Sequence, residues 1–120
     1  MKTKITIMPN DEAKEPLGIR AMRSQISKRA AIVELVHSFP VLHRQFANLT
    51  EKNWHIDGFM DSASAVSTSA RHAMLFIAGV WDASWLRSRQ LQFDAIDAMS
   101  AWDREQRAAF IAWCQAPWWA

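Results

Sequence analysis

With a single cysteine, Cys114, the chain cannot close a disulfide within itself, which sets aside the small cross-linked secreted scaffolds. Tyrosine is absent, so its aromatic content is carried by seven Trp and six Phe. The three glycines, Gly18, Gly58 and Gly79, lie far apart; no Gly-rich loop can line up backbone donors around a phosphate, and the common routes to nucleotide binding are closed. There is no Gly-x-Ser-x-Gly elbow, so Ser-His-Asp chemistry has no sequence support. The longest apolar stretch, Ala73 to Leu86, carries Asp82 and falls short of the roughly 20 residues a membrane span needs. Nothing at the N-terminus reads as a charged segment followed by an apolar core and a cleavage site, and a cytoplasmic, membrane-free protein is expected.

Charge is also scarce in the aggregate. The net charge is +2, too mild to imply nucleic acid by itself. Its placement is uneven: residues 1–60 hold nine Lys/Arg against six Asp/Glu, residues 61–120 hold five against six, and no Lys follows Lys52. Half the residues are hydrophobic and 22% are charged, the composition of a folded domain rather than a disordered chain. A length of 120 residues suits one domain with one core. Tryptophan is the outlier. Each indole brings a large apolar area, and five of the seven lie from Trp85 onward, so the C-terminal part is expected to supply much of the core.

The hydrophobic pattern predicts an all-α fold, a single-domain orthogonal or up-and-down bundle of four to five helices with an irregular N-terminus. Residues 1–18 form a flexible or edge-strand segment: Lys4, Ile5, Thr6 and Ile7 alternate, but a lone strand has no partner here, and Pro9 to Gly18 is loop chemistry. Residues 19–120 form the helical domain. Its first helix runs from Ile19 to Ser38 on a stripe of Ile19, Met22, Ile26, Ala30, Val33 and Val36, and Pro40 ends it. A short helix over 41–49 places Leu42, Phe46 and Leu49 on one face, and 50–58 is a polar connection around Trp54. Asp61 or Ser62 caps a helix that continues through Ala73 to Leu86 as far as Arg87. Because Met74, Leu75, Phe76, Ile77, Val80 and Trp81 point in nearly every direction, this helix is surrounded on all sides and forms the central post. Ser88 caps a helix to Ala101, Ser100 begins the last one from Trp102 to Ala116, and Pro117 stops it.

The histidines His37, His43, His55 and His72 include no pair at helical spacing, and Pro40 separates the first two; with one Cys, no metal site is expected, and no cofactor. Cys114, near a helix C-terminus beside Phe110 and Trp113, is expected to be packed and inert. Asp94 and Asp97 stand one turn apart and would suit a cation or an acid/base pair, yet they fall off the Phe93, Ile96 and Met99 face, where solvated charges belong. Arg20, Arg23 and Lys28 form a basic face with no acid between Pro16 and Val33 and would meet phosphates or an acidic protein. A helix-turn-helix over Leu91 to Trp113 would place Arg104, Gln106 and Arg107 at the start of a reading helix, although that helix is apolar after Arg107. Trp118 and Trp119, after a helix-ending proline, mark a protein contact if exposed and core if folded back.

These features are expected of a non-catalytic helical interaction or regulatory protein, bacterial by its Ala, Trp and Arg usage, that pairs with itself or another protein through Trp118 and Trp119. The first alternative is a nucleic-acid binder using Arg20, Arg23 and Lys28. The second is a small enzyme with a carboxylate site near Asp94 and Asp97.

Overall fold

The computed structural model describes the backbone of residues 17–120 and the side chains of residues 28–120. Seven helices and no strand occur among the described residues: α1 (Leu17–Ser38), α2 (Pro40–Gln45), α3 (Ile56–Met60), α4 (Thr68–Trp81), α5 (Ala83–Ser88), α6 (Ala95–Ala101) and α7 (Arg104–Gln115). The expected strand or tail lies outside the described residues up to position 16, as do the side chains of Ile19, Met22 and Ile26 within α1.

The all-round apolar character of α4 decides its place. Ala70, every residue from Ala73 to Ala78, and Val80 are buried, and the helix packs against α1, α2, α3, α5 and α6. α7 reaches it through Phe110 and Trp113, whose rings stand 5.0 and 5.1 Å from that of Phe76. Ile32, Val36, Phe39, Leu42, Met74 and Ile77 are fully buried in this core, where each large side chain contributes about 1.5–3 kcal/mol of apolar transfer. On α1 the buried strip widens to Ile32, Val33, Leu35 and Val36, because α2 and α4 both lean on that end of the helix.

The helix count exceeds four to five because the short α3 forms within and beyond the expected polar connection and because Asp82 breaks the central helix and starts α5. Helix α4 starts at Thr68 under Ser67, whose hydroxyl accepts the Ala70 N–H at 3.2 Å. Asp61 and Ser62 do not cap it: the Asp- and Ser-containing run 61–66 forms turns and a bend, as expected of side chains that compete for backbone hydrogen bonds. The central helix does not continue to Arg87. Asp82 leaves helical geometry and its Oδ1 accepts from the N–H groups of Ser84 and Trp85 at 3.1 and 3.3 Å, starting α5. Gly79 lets α5 fold back closely, since a Cβ there would meet Leu86 at 3.3 Å. Helix α5 ends in a Schellman turn, with Leu91 N–H on Leu86 O, Gln90 N–H on Arg87 O, and Gln90 itself at φ 58°. Asp94 then caps α6, and Asp103 caps α7, in place of Ser88 and Ser100.

Two of these caps make the acid limb of the stability curve predictable. Hydrogen bonding to the Ser84 hydroxyl, then to the Trp85 and Ser84 N–H groups, holds the Asp82 carboxyl below its ordinary value of 3.8. The Gln106 N–H, with its side-chain amide and the Glu105 N–H, does the same for Asp103. A carboxyl depressed on folding adds stability above its unfolded value and loses it as the pH falls toward its folded value. The double variant Asp82→Asn, Asp103→Asn keeps the capping oxygens but not the charges. Its urea midpoint should therefore fall less steeply than the wild type's between pH 5 and pH 2; parallel curves would refute the assignment.

Candidate functional site

The C-terminal tail is built onto the core by backbone groups. Pro117 ends α7, and the chain doubles back until the N–H of Ala120 donates to Val80 O at 3.1 Å. That carbonyl is one of the last in α4 and has no acceptor role within the helix to fill. The Trp113 indole N–H donates to Trp118 O at 3.1 Å, so the tail is anchored on both sides of Trp119. The two terminal indoles diverge. Trp118 is half-buried against the core. Trp119 stands edge-on to Trp113, rings 5.2 Å apart at 85°, and remains 64% exposed.

Beside this tail runs a groove of about 270 Å³ between α1 and α7, its apolar lining including Leu35, Ala109, Ala112, Trp113 and Trp118. Glu34 and Ser38 are the polar residues lining it. Ala109, Ala112 and Ala116 recur at helical spacing on α7 and bring no bulk to the groove, which is why it exists. Ile111, on the outer side of the same helix, is 44% exposed. Ile96 of α6, 83% exposed, is the remaining large exposed apolar side chain among the described residues.

The remaining sequence candidates are placed as follows. Asp94 spends its Oδ1 on the N–H groups of Ile96 and Asp97, at 2.9 and 3.0 Å, and Asp97 is exposed; the pair is a helix start. The side chains of Arg20 and Arg23 lie outside the described residues, and Lys28 is half-buried. The helix-turn-helix reading meets an internal obstacle. Gln106 is buried, donating to Asp103 and accepting from Val41 N–H, and Arg107 Nε donates to Met99 O at 2.9 Å, so two of the three proposed reading side chains are turned to the protein. Cys114 is exposed, against the expectation of a packed thiol. The inward strip of α7 is narrow, formed by Gln106, Ala109, Phe110 and Trp113, and Cys114 falls past its edge.

One pairing was missed by spacing rules. His37 and His43 meet across the Phe39–Pro40 corner, Nδ1 to Nδ1 at 2.9 Å. The test for helical spacing looks for partners on one helix, and these two stand on α1 and α2. No group of three or more His, Cys, Asp or Glu able to hold a metal occurs among the described residues, and no helix described is long and apolar enough to cross a membrane. No protein-family model, curated protein or solved structure matches the chain.

Proposed function

We propose that this is a non-catalytic interaction domain that pairs with a second copy of itself through its C-terminal aromatic end. The observation that carries the reading is Trp119: an indole flanked on both sides by hydrogen bonds that tie the tail to the core, yet 64% exposed. A large aromatic in water is costly to display and, once rigid, loses little entropy on binding, which is the character of a contact hot spot. A second copy is the occupant favoured, because the projecting ring and an apolar groove of about 270 Å³ lie at the same end of the molecule. A two-fold arrangement lets each copy insert Trp119 into the groove of the other.

Light scattering and sedimentation across a wide concentration range test this. The full chain should show a concentration-dependent dimer, with tryptophan emission shifting to the red on dilution as Trp119 returns to water. Trp119→Ala should raise the dissociation constant about tenfold or more while leaving the melting temperature of the monomer close to that of the wild type, since the ring is mostly outside the core. A chain stopped before Pro117 should be monomeric. A full chain that stays monomeric at every concentration, or a dimer unaffected by Trp119→Ala, overturns the reading.

A further inference from the structure

The corner between α1 and α2 carries an arrangement that the self-association reading does not use. His37 lies in the last turn of α1 and His43 within α2, with buried Phe39 and helix-starting Pro40 between them. Their rings are 4.9 Å apart at 74°. The Nε2 of His37 is 3.2 Å from Leu49 O. Only an N–H meets a carbonyl oxygen favourably, so the proton of His37 sits on Nε2 and its Nδ1 presents a lone pair toward His43.

We propose that His37 and His43 form a two-imidazole site for a divalent late transition metal of the Ni(II) or Cu(II) type. Three observations support it. First, two nitrogens 2.9 Å apart subtend roughly a right angle at a metal about 2.0–2.1 Å from each, the N–metal distance imidazoles adopt. A right angle between neighbouring ligands belongs to the square-planar or octahedral centres that these ions prefer. Second, the Leu49 carbonyl fixes His37 in the tautomer that leaves Nδ1 unprotonated, the outer support that ligating histidines characteristically have. Third, His43 is exposed and His37 only half-buried, so solvent reaches the pair and can fill the open coordination positions, while Glu34 and Glu51, which line with His37 a neighbouring cavity of about 480 Å³, add negative charge on the His37 side.

Proton balance is simple. In the metal-free pair the Nδ1–H of His43 donates to Nδ1 of His37. On metal binding His43 moves that proton to its own Nε2, through solvent, and both rings turn off the Nδ1···Nδ1 line, so that the two lone pairs face the ion and no net proton is released. A bound ion would tie the end of α1 to α2, stiffening the corner that presents Leu42 and Phe39 to the core.

The test uses the full chain with NiCl2 or CuSO4 in a non-chelating buffer, followed by calorimetry, visible absorption and, for copper, electron paramagnetic resonance. Expected are one ion per chain, a copper spectrum with hyperfine splitting from two imidazole nitrogens, and a rise in melting temperature with added nickel. His43→Gln, at an exposed position, should weaken nickel binding about tenfold or more and abolish the thermal shift. His55→Gln, at an exposed position outside the pair, should change neither. Equal affinity in the wild type and His43→Gln, a copper spectrum lacking the two-nitrogen pattern, or no nickel binding at all would each overturn the proposal, the last leaving the pair a plain hydrogen bond.

Discussion

Trp102→Ala is expected to destabilise the fold by about 3–5 kcal/mol, the range for removing a large aromatic from a packed interior. Trp102 sits between α6 and α7, is 2% exposed, and is one of the residues through which the C-terminal third joins the core. Its ring lies 5.4 Å from Phe39, 5.5 Å from Phe110 and 6.0 Å from Phe93, linking four segments in one aromatic cluster. Its indole N–H donates to Ser69 O at 3.0 Å, and the Ser69 hydroxyl returns a bond to Ala101 O at 3.2 Å, so the start of α4 and the end of α6 are stitched together at this point. Against a net stability of about 5–15 kcal/mol for a domain, the variant should unfold at much lower urea. Trp102→Phe keeps most of the ring packing and loses the hydrogen bond. Trp54 supplies the comparison: it is equally buried, but its Nε1 has no hydrogen-bond partner among the described residues. Removing a polar atom that is already unpaired costs less than breaking a bond, so Trp54→Phe should be milder than Trp102→Phe in urea denaturation followed by circular dichroism. The reverse order, or a loss below about 1 kcal/mol for Trp102→Ala, would mean that the α6–α7 junction is peripheral to the core.

How far the sequence foretold this arrangement depends on the kind of signal each residue gives. The post was legible because a continuous apolar block from Ala73 to Ala78 has one physical solution, burial on all sides. Pro40 and Pro117 were legible because proline acts locally. The caps were harder: Asp82, Asp94 and Asp103 outrank the nearby Ser88 and Ser100, and hydroxyl and carboxylate caps have similar intrinsic strength, so position alone could not choose between them. The spacing Asp103-x-x-Gln106 at the start of α7 was the available clue. Trp54 reads as part of a polar connection because its burial depends on the short α3 folding back to bring Phe59 to 5.0 Å and on Trp81, distant in the chain, at 5.4 Å. For the site, Trp118 and Trp119 stood out by type, yet their opposite fates depend on two bonds to the tail, the Ala120 N–H on Val80 O and the Trp113 indole N–H on Trp118 O, that helical spacing does not record. The His37–His43 meeting depends on the angle of a corner, which spacing along one helix does not express.

Gln106 carries the second large effect, and its substitutions separate packing from polarity. A glutamine in a charged first turn reads as surface, but Gln106 is 4% exposed and bonds in two directions. Its Oε1 accepts Val41 N–H at 3.2 Å, and its Nε2 donates to Asp103 Oδ1 at 2.9 Å. Val41 is the second residue of α2, whose N-cap Phe39 has no side chain able to accept and whose Pro40 has no N–H. Gln106 therefore supplies, from α7, the acceptor that the start of α2 lacks. Gln106→Leu keeps similar bulk and leaves the Val41 N–H unpaired, which should cost about 1–3 kcal/mol. Gln106→Glu keeps an acceptor for Val41 but replaces the donor by a second carboxylate against Asp103, and should be the more damaging of the two at pH 7. Burial and the neighbouring charge both raise the pKa of the introduced glutamate above its unfolded value. Its penalty is then fully present above that raised value and shrinks as the pH falls through it, when the protonated acid can again donate to Asp103. In the wild type the Asp103 carboxyl is held below 3.8 by the bonds from the Gln106 N–H, the Gln106 side-chain amide and the Glu105 N–H; the two backbone donors remain in the variant. Denaturation of the wild type and both variants from pH 7 to pH 4.5 should show the Gln106→Glu deficit narrowing while the Gln106→Leu deficit stays flat. A glutamate penalty that does not change with pH would mean that this side chain has swung out to solvent, and that α7 is joined to α2 by apolar contact rather than by the Val41–Gln106–Asp103 chain of bonds.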